Sequence, residues 1–304
     1  MRGKGTIKRF IQLLIIGIIF FFLIRNLFNN WQQICHYQWK ANYPLLFFST
    51  GIVILNFSFL IKIWLKLLDV LGFNLKYGKG FKIWFISNFG RYIPGKVWQL
   101  LGMVYLCERE GIPKTVTTTS AVLAQIFSLV SGLIISLLLL GVDFLDKFGG
   151  ANILFFFILL SLFLFLIIIS LYPRLLGKGI NFLLRKIKKP ELKIQLSTWT
   201  SFKFLVGYAI TWLIYGFGFF FFIHSFTNVS FHQYPLMTGI FAIAYILGFL
   251  SFFAPGGLGV REGILTYLLG LYFPGSIATV ISLASRIWMT IAEVIGLGIS
   301  FKMR

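Results

Sequence analysis

The sequence predicts an all-α polytopic membrane protein with about six full transmembrane helices and two re-entrant broken-helix hairpins, arranged as an inverted repeat. Three observations carry that reading. The 304 residues are 58% hydrophobic and 19% aromatic, with only 12% charged. Apolar stretches recur at lengths near the ~20 residues that a helix needs to cross about 30 Å of hydrocarbon. The 28 lysines and arginines, against 8 acidic residues, gather in alternate loops between those stretches. A soluble protein of this size would need six unusually long buried helices instead.

The elements follow in order. Phe10–Ile24 is the first span; Arg25-Asn26-Leu27-Phe28 follows it, with no small-residue cleavage site of the kind a signal peptide carries. Tyr43–Ile61 is the second, with Lys62 and Lys66 at its end placed to snorkel toward the surface. Phe81–Leu106 is apolar but broken by Pro94-Gly95, and Val116–Gly141 and Ala151–Leu171 are unbroken. Phe204–Ile223 comes next, and Tyr234–Phe273 is broken by Pro255-Gly256-Gly257 before Ser276–Phe301 closes the chain. Proline removes a helix donor and clashes with the preceding turn, and glycine is a poor helix former. Trp31, Trp39, Trp64, Trp84 and Tyr43 are expected as anchors at the membrane–water interface.

Charge sets the expected orientation. Basic residues crowd the N terminus, the stretch from Lys62 to Lys82, Arg109 and Lys114, the stretch from Arg174 to Lys203, and the C terminus. Only Arg25, Lys40 and Lys147 fall on the other side. This is the positive-inside distribution, so the basic excess points to membrane topology rather than to nucleic acid. Both termini are expected in the cytoplasm, and the chain in the cell inner (plasma) membrane. The run RLLGKGINFLLRKIKK (Arg174–Lys189) suits a helix lying on anionic lipids at the cytoplasmic face.

The same distribution constrains the two broken segments. If Phe81–Leu106 crossed fully, the basic loop from Arg174 to Lys203 would move outside. A hairpin that enters and leaves on the cytoplasmic side keeps it inside, and Tyr234–Phe273 then enters and leaves from the outside. The chain becomes a single integral membrane domain, 1–304, whose first half (about 1–141) and second half (about 151–304) are inverted relative to each other. RYIPGKVWQLLGMVYL and FFAPGGLGVREGILTYL both set Pro-Gly near the start and Tyr-Leu about a dozen residues on.

Inverted repeats with broken helices build secondary transporters, whose sites lie near the midplane. Irregular backbone at that depth must be buried in protein or line a wet cavity. The candidate site residues are those that put charge or amide groups beside the breaks: Asn88, Arg91, Lys96 and Gln99 around the first, Gly256, Gly257, Arg261 and Glu262 around the second, and Arg286 and Glu293 on the last span. Charges at the centre of a span cost at least about 2.5–3.5 kcal/mol and are usually functional or paired. Arg286 and Glu293, seven apart, share a helix face. Arg286 is expected to pair with Glu262 or Glu293. Arg91 and Arg261 are expected to grip a phosphate bidentately, beside the positive end of a helix that starts near Leu258.

NFGRYIPGKVWQ (Asn88–Gln99) and APGGLGVREG (Ala254–Gly263), in this order, resemble the transmembrane flippase domain of lysylphosphatidylglycerol synthases and of free-standing flippase-like relatives. The resemblance covers nearly the whole chain. It implies translocation of an anionic or aminoacylated phospholipid, or of a lipid-linked intermediate, between leaflets. The bifunctional synthases continue into a soluble transferase domain. This chain stops at Arg304, so aminoacyl-lipid synthesis is not expected of it. Relatives often carry an acidic-basic pair in the span after the first hairpin; here that region reads SAVLAQIFSLVSG, with Ala124 and Gln125.

Two other classes of function compete. An intramembrane lipid-modifying enzyme would use Glu262 or Glu293 as general base with Arg261 or Arg91 on a lipid phosphate, but no nucleophile or metal set accompanies them. An accessory scaffold for a lipid-synthesis enzyme would work through the basic loop instead; a lipid-synthesis enzyme, or a second copy of the chain in a homo-oligomer, is the protein partner to consider. His36, His224 and His232 show no metal-binding spacing, and there is no phosphate-binding P-loop; no cofactor is expected. Cys35 and Cys107 fall on opposite faces, too far apart for a disulfide.

Overall fold

The computed structural model describes residues 19–93, 97–147, 196–251 and 254–303, with residue 17 and isolated positions between 161 and 186. Among the described residues every regular element is helical. After α1 (Ile19–Asn29) come α2 (Trp31–His36), α3 (Tyr43–Val70), α4 (Tyr77–Asn88), α5 (Trp98–Arg109) and α6 (Lys114–Lys147). Then follow α7 (Thr198–His224), α8 (Tyr234–Leu250), α9 (Val260–Leu269) and α10 (Gly275–Lys302). The expected span Ala151–Leu171 lies almost wholly outside the described residues, as do part of Phe10–Ile24, the break Pro94-Gly95 and Lys96.

Five stretches are long and apolar enough to cross a membrane: Tyr43–Val70, Lys114–Gly141, Thr198–His224, Phe231–Leu250 and Gly275–Lys302. Four of them match expected spans, extended by two to nine residues. The fifth is the first arm of the second broken segment, lengthened by a 3₁₀ turn at Phe231–Gln233. The exterior confirms the solvent these helices are built for. Phe47, Leu55, Ile287 and Phe301 are each more than 60% exposed, which would be a liability in water and is ordinary against lipid tails.

Capping follows the sequence locally. Ser197 accepts from the Thr200 N–H at the start of α7, and Asn42 accepts from the Leu45 N–H at the start of α3; a side-chain oxygen there satisfies an otherwise orphan donor. α3 packs along α7, and α6 and α8 pack against α7 and against each other. An aromatic core fills the centre, with Phe57, Phe85, Phe219, Phe222, Phe241 and Trp288 fully or almost fully buried. Helix–helix contact in lipid relies on small residues that let backbones approach, and Gly216 on α7 is such a point. A Cβ built there would overlap the Thr238 side chain on α8. Gly216→Leu should therefore lower the melting temperature of the purified protein by an amount corresponding to about 1–3 kcal/mol. An unchanged melting curve would show that α7 and α8 do not meet there.

α4 and α5 are 12 residues each, or about 18 Å at 1.5 Å per residue, well short of a full crossing. They pack on each other as an antiparallel pair. Lys79 near the start of α4 donates to Glu110 just past the end of α5 at 2.5 Å, while Gln99 at the start of α5 donates to Asn88 at the end of α4 at 3.0 Å. One interface anchor is corrected. Trp64 is 2% exposed, with its indole N–H donating to Ser120 at 3.2 Å. A tryptophan with an internal acceptor has no need of the interface.

Candidate functional site

The two breaks meet. The 3₁₀ turn Phe89–Tyr92, which ends α4, touches the 3₁₀ turn Pro255–Gly257 between α8 and α9. Glycine makes the second turn feasible. Gly256 and Gly257 have φ of 55° and 70°, the left-handed region that side-chain-bearing residues rarely adopt. A Cβ on Gly257 would also stand 2.9 Å from the Gly248 carbonyl oxygen. A Cβ on Gly256 would face Arg286 at 3.3 Å and Tyr92 at 3.6 Å, so this glycine lies where both breaks and α10 converge.

α10 ties the two breaks together with ion pairs of opposite sense. Its Glu293, 1% exposed, pairs with Arg91 of the first break and accepts from the Tyr92 hydroxyl at 2.9 Å. Its Arg286 donates to Glu262 of α9 at 3.3 Å and to the Gly256 carbonyl at 3.0 Å. Arg91 also donates to the Tyr92 hydroxyl at 3.1 Å and to that of Tyr245 on α8 at 3.4 Å. The Tyr92 ring lies under both guanidinium groups, 5.0 Å from that of Arg91 and 5.6 Å from that of Arg286. Such contacts are favourable where water is excluded.

Arg286 thus takes Glu262 as its partner, one of the two expected. Arg91 is not a free clamp, because Glu293 already holds it. The start of α9 is also occupied. Glu262 is 1% exposed, and its Oε2 accepts from the Gly259 N–H at 2.8 Å. This is the acidic half of a capping box, and a carboxylate there already neutralises the positive helix end. An incoming anion would have to displace it. Asn88 and Gln99 bond each other beside the first break and leave the Asn88 amide N–H₂ buried without a partner.

Arg261 differs from the other two arginines. It is 5% exposed and has no carboxylate partner among the described residues. Its guanidinium stands over Phe241 at 5.2 Å and Tyr245 at 5.5 Å, and donates to the Ser285 hydroxyl at a long 3.5 Å. Its Nε has no acceptor. The sequence reading missed Tyr92, Tyr245, Phe241 and Ser285. Tyr92 adjoins Arg91, and Ser282, Ser285, Arg286 and Glu293 repeat at helical spacing on α10. Phe241 and Tyr245 carry no such signal inside a wholly apolar run.

Among the described residues no three His, Cys, Asp or Glu side chains come together as a metal site. Cys35 is exposed and Cys107 buried, both as free thiols. A groove of about 320 Å³ runs along the outside of α10, lined by Arg286, Ile287, Thr290, Ile291, Val294 and Ile295. Its polar members are Arg286, which belongs to the charged cluster, and Thr290, whose hydroxyl donates to the Arg286 carbonyl at 2.9 Å.

Span-length apolar helices, a lipid-compatible surface and a buried cluster of arginines and glutamates define a polytopic membrane protein with a charged centre. Its sequence matches the family described as the lysylphosphatidylglycerol synthase TM region over residues 9–296. The chain belongs to that family, as its two motifs led one to expect. No curated protein and no solved structure matches it.

Proposed function

We propose that the protein is a lipid translocase that carries an anionic or aminoacylated phospholipid, or a lipid-linked intermediate, between leaflets. The observation that carries this reading is the cluster of buried Arg261, Glu262 and Glu293 with part-buried Arg91 and Arg286 where two helix breaks meet. A headgroup phosphate cannot cross hydrocarbon unaided, because burying an isolated ion costs tens of kcal/mol at a dielectric of about 4. Fixed charges and exposed backbone dipoles at mid-depth lower that cost. Membership in the family directs the reading to lipid.

In this reading the two broken segments are re-entrant hairpins of inverted halves, and six spans complete the domain. The antiparallel α4–α5 pair supports it, since Lys79 and Glu110 bring the chain back to the side it started from. Both termini face the cytoplasm of the inner membrane, and the basic stretch from Arg174 to Lys189 rests on anionic lipids. Arg91, Arg286, Glu262, Glu293, Asn88, Gln99, Gly256 and Gly257 form the frame of the passage.

Two measurements test this. Purified protein in liposomes should accelerate movement of a headgroup-labelled phosphatidylglycerol between leaflets, with its mass unchanged. A covalently altered lipid would establish an enzyme instead, and no acceleration across anionic and aminoacylated lipids would favour a scaffold. For topology, Cys35 should react with an impermeant maleimide in intact cells, whereas a cysteine placed at Lys79 in a Cys35→Ser background should react only after lysis. The opposite pattern would invert the orientation.

A further inference from the structure

The cluster where the breaks meet holds three arginines and two glutamates, and both glutamates are already committed. Glu293 is taken by Arg91 and Tyr92, and the two oxygens of Glu262 by Arg286 and the Gly259 N–H. Of the three, Arg261 is the arginine that makes no ion pair among the described residues. We infer that Arg261 is the docking group for a single phosphodiester oxyanion of the transported lipid, and that Arg91 and Arg286 hold the frame around it. The inference rests on the translocase reading and names the chemistry that its site selects.

Three features of Arg261 support this. A buried charge with no carboxylate in ion-pair contact among the described residues is costly, and one added negative charge would balance three arginines against two glutamates. A dianion would overshoot. The rings of Phe241 and Tyr245 face the guanidinium, and an arginine so held still offers donors along its edge. Its Nε–H has no acceptor and its reach to Ser285 is long, so donors remain for two oxygens of a phosphodiester in the fork geometry. Gly248 packs against the Arg261 backbone, where a built Cβ would stand 2.8 Å from the Arg261 Cβ, which fixes the origin of the side chain.

The test uses the full chain purified in maltoside micelles, which contain no phosphate. Ligand affinity is read from the dose dependence of its thermal stabilisation. The probes are phosphatidylglycerol, diacylglycerol with the same acyl chains, phosphatidic acid, and water-soluble glycerophosphoglycerol. Phosphatidylglycerol should bind roughly ten- to a hundredfold more tightly than diacylglycerol, the range of one charge-assisted contact. Phosphatidic acid, whose monoester carries close to a second charge, should bind more weakly than phosphatidylglycerol. Arg261→Gln should bring phosphatidylglycerol down to the diacylglycerol level. Arg261→Lys, which keeps the charge without the fork, should fall between and serves if the glutamine variant does not fold. Competition by glycerophosphoglycerol would assign recognition to the headgroup alone. Its failure to compete, with lipid binding intact, would assign it to the tethered lipid; both results uphold the phosphodiester.

Equal binding of diacylglycerol and phosphatidylglycerol by the native protein, tighter binding of phosphatidic acid, or undiminished binding by both variants would overturn the inference. Movement of labelled lipid by the native protein in liposomes is scored separately. Transport with no Arg261-dependent binding would leave the translocase standing and remove Arg261 from it. Arg261-dependent binding without transport would do the reverse.

Discussion

Glu262→Ala is expected to cost about 3–5 kcal/mol of stability, the range for breaking a buried ion pair from one side. Two interactions go at once. The Arg286 guanidinium keeps only its bond to the Gly256 carbonyl, and the Gly259 N–H at the start of α9 loses its acceptor. The vacated carboxylate position is buried, so water does not readily replace it. Against a typical net stability of about 5–15 kcal/mol, the purified protein should melt far below the native one. Glu262→Gln should fall between, since its amide oxygen can still cap the helix but cannot neutralise Arg286. A Glu262→Ala protein that melts with the native one would show that the pair and the cap contribute nothing.

The second large effect concerns the pair that joins the first break to α10. Arg91→Ala should destabilise by a similar amount, about 3–5 kcal/mol, because it strands the buried carboxylate of Glu293. Lost transport in that variant would therefore not identify Arg91 as a substrate ligand. The double variant Arg91→Met/Glu293→Gln removes both charges together and should recover much of the stability, since replacing a buried pair by neutral groups of similar volume is often near neutral. The coupling energy from the four proteins measures the pair. If the two single changes add without coupling, Arg91 and Glu293 do not meet in the working protein. A stable double variant then gives a clean transport assay for what the first break contributes.

Much of the fold is legible in the chain itself. Tyr43–Val70, Thr198–His224 and Gly275–Lys302 lie close to the apolar stretches that mark them, because a helix in lipid satisfies its backbone internally and needs only length and apolar side chains. The second break is legible too, because Pro255, Gly256, Gly257 and Gly259 in FFAPGGLGVREG act locally. Positions of charge are equally plain. Arg91, Arg261, Glu262, Arg286 and Glu293 stand out because apolar sequence surrounds them.

Partnership is not legible. Arg91 and Glu293 are 202 residues apart, and no local periodicity joins them; only the packing of α4 and α9 against α10 brings the two breaks to one helix. Trp64 illustrates the same limit, since an amphipathic ring suits an interface until a serine 56 residues away supplies an internal acceptor. Glu262 and Arg261 are neighbours in sequence with opposite fates. The carboxylate folds back to cap its own helix and pair with Arg286, while the guanidinium enters an aromatic pocket and makes no ion pair among the described residues. The sequence determines which residues carry charge into the membrane, because that is a property of composition and helical period. Which charges cancel and which is left over depends on distances between separate helices, and those exist only once the helices have packed.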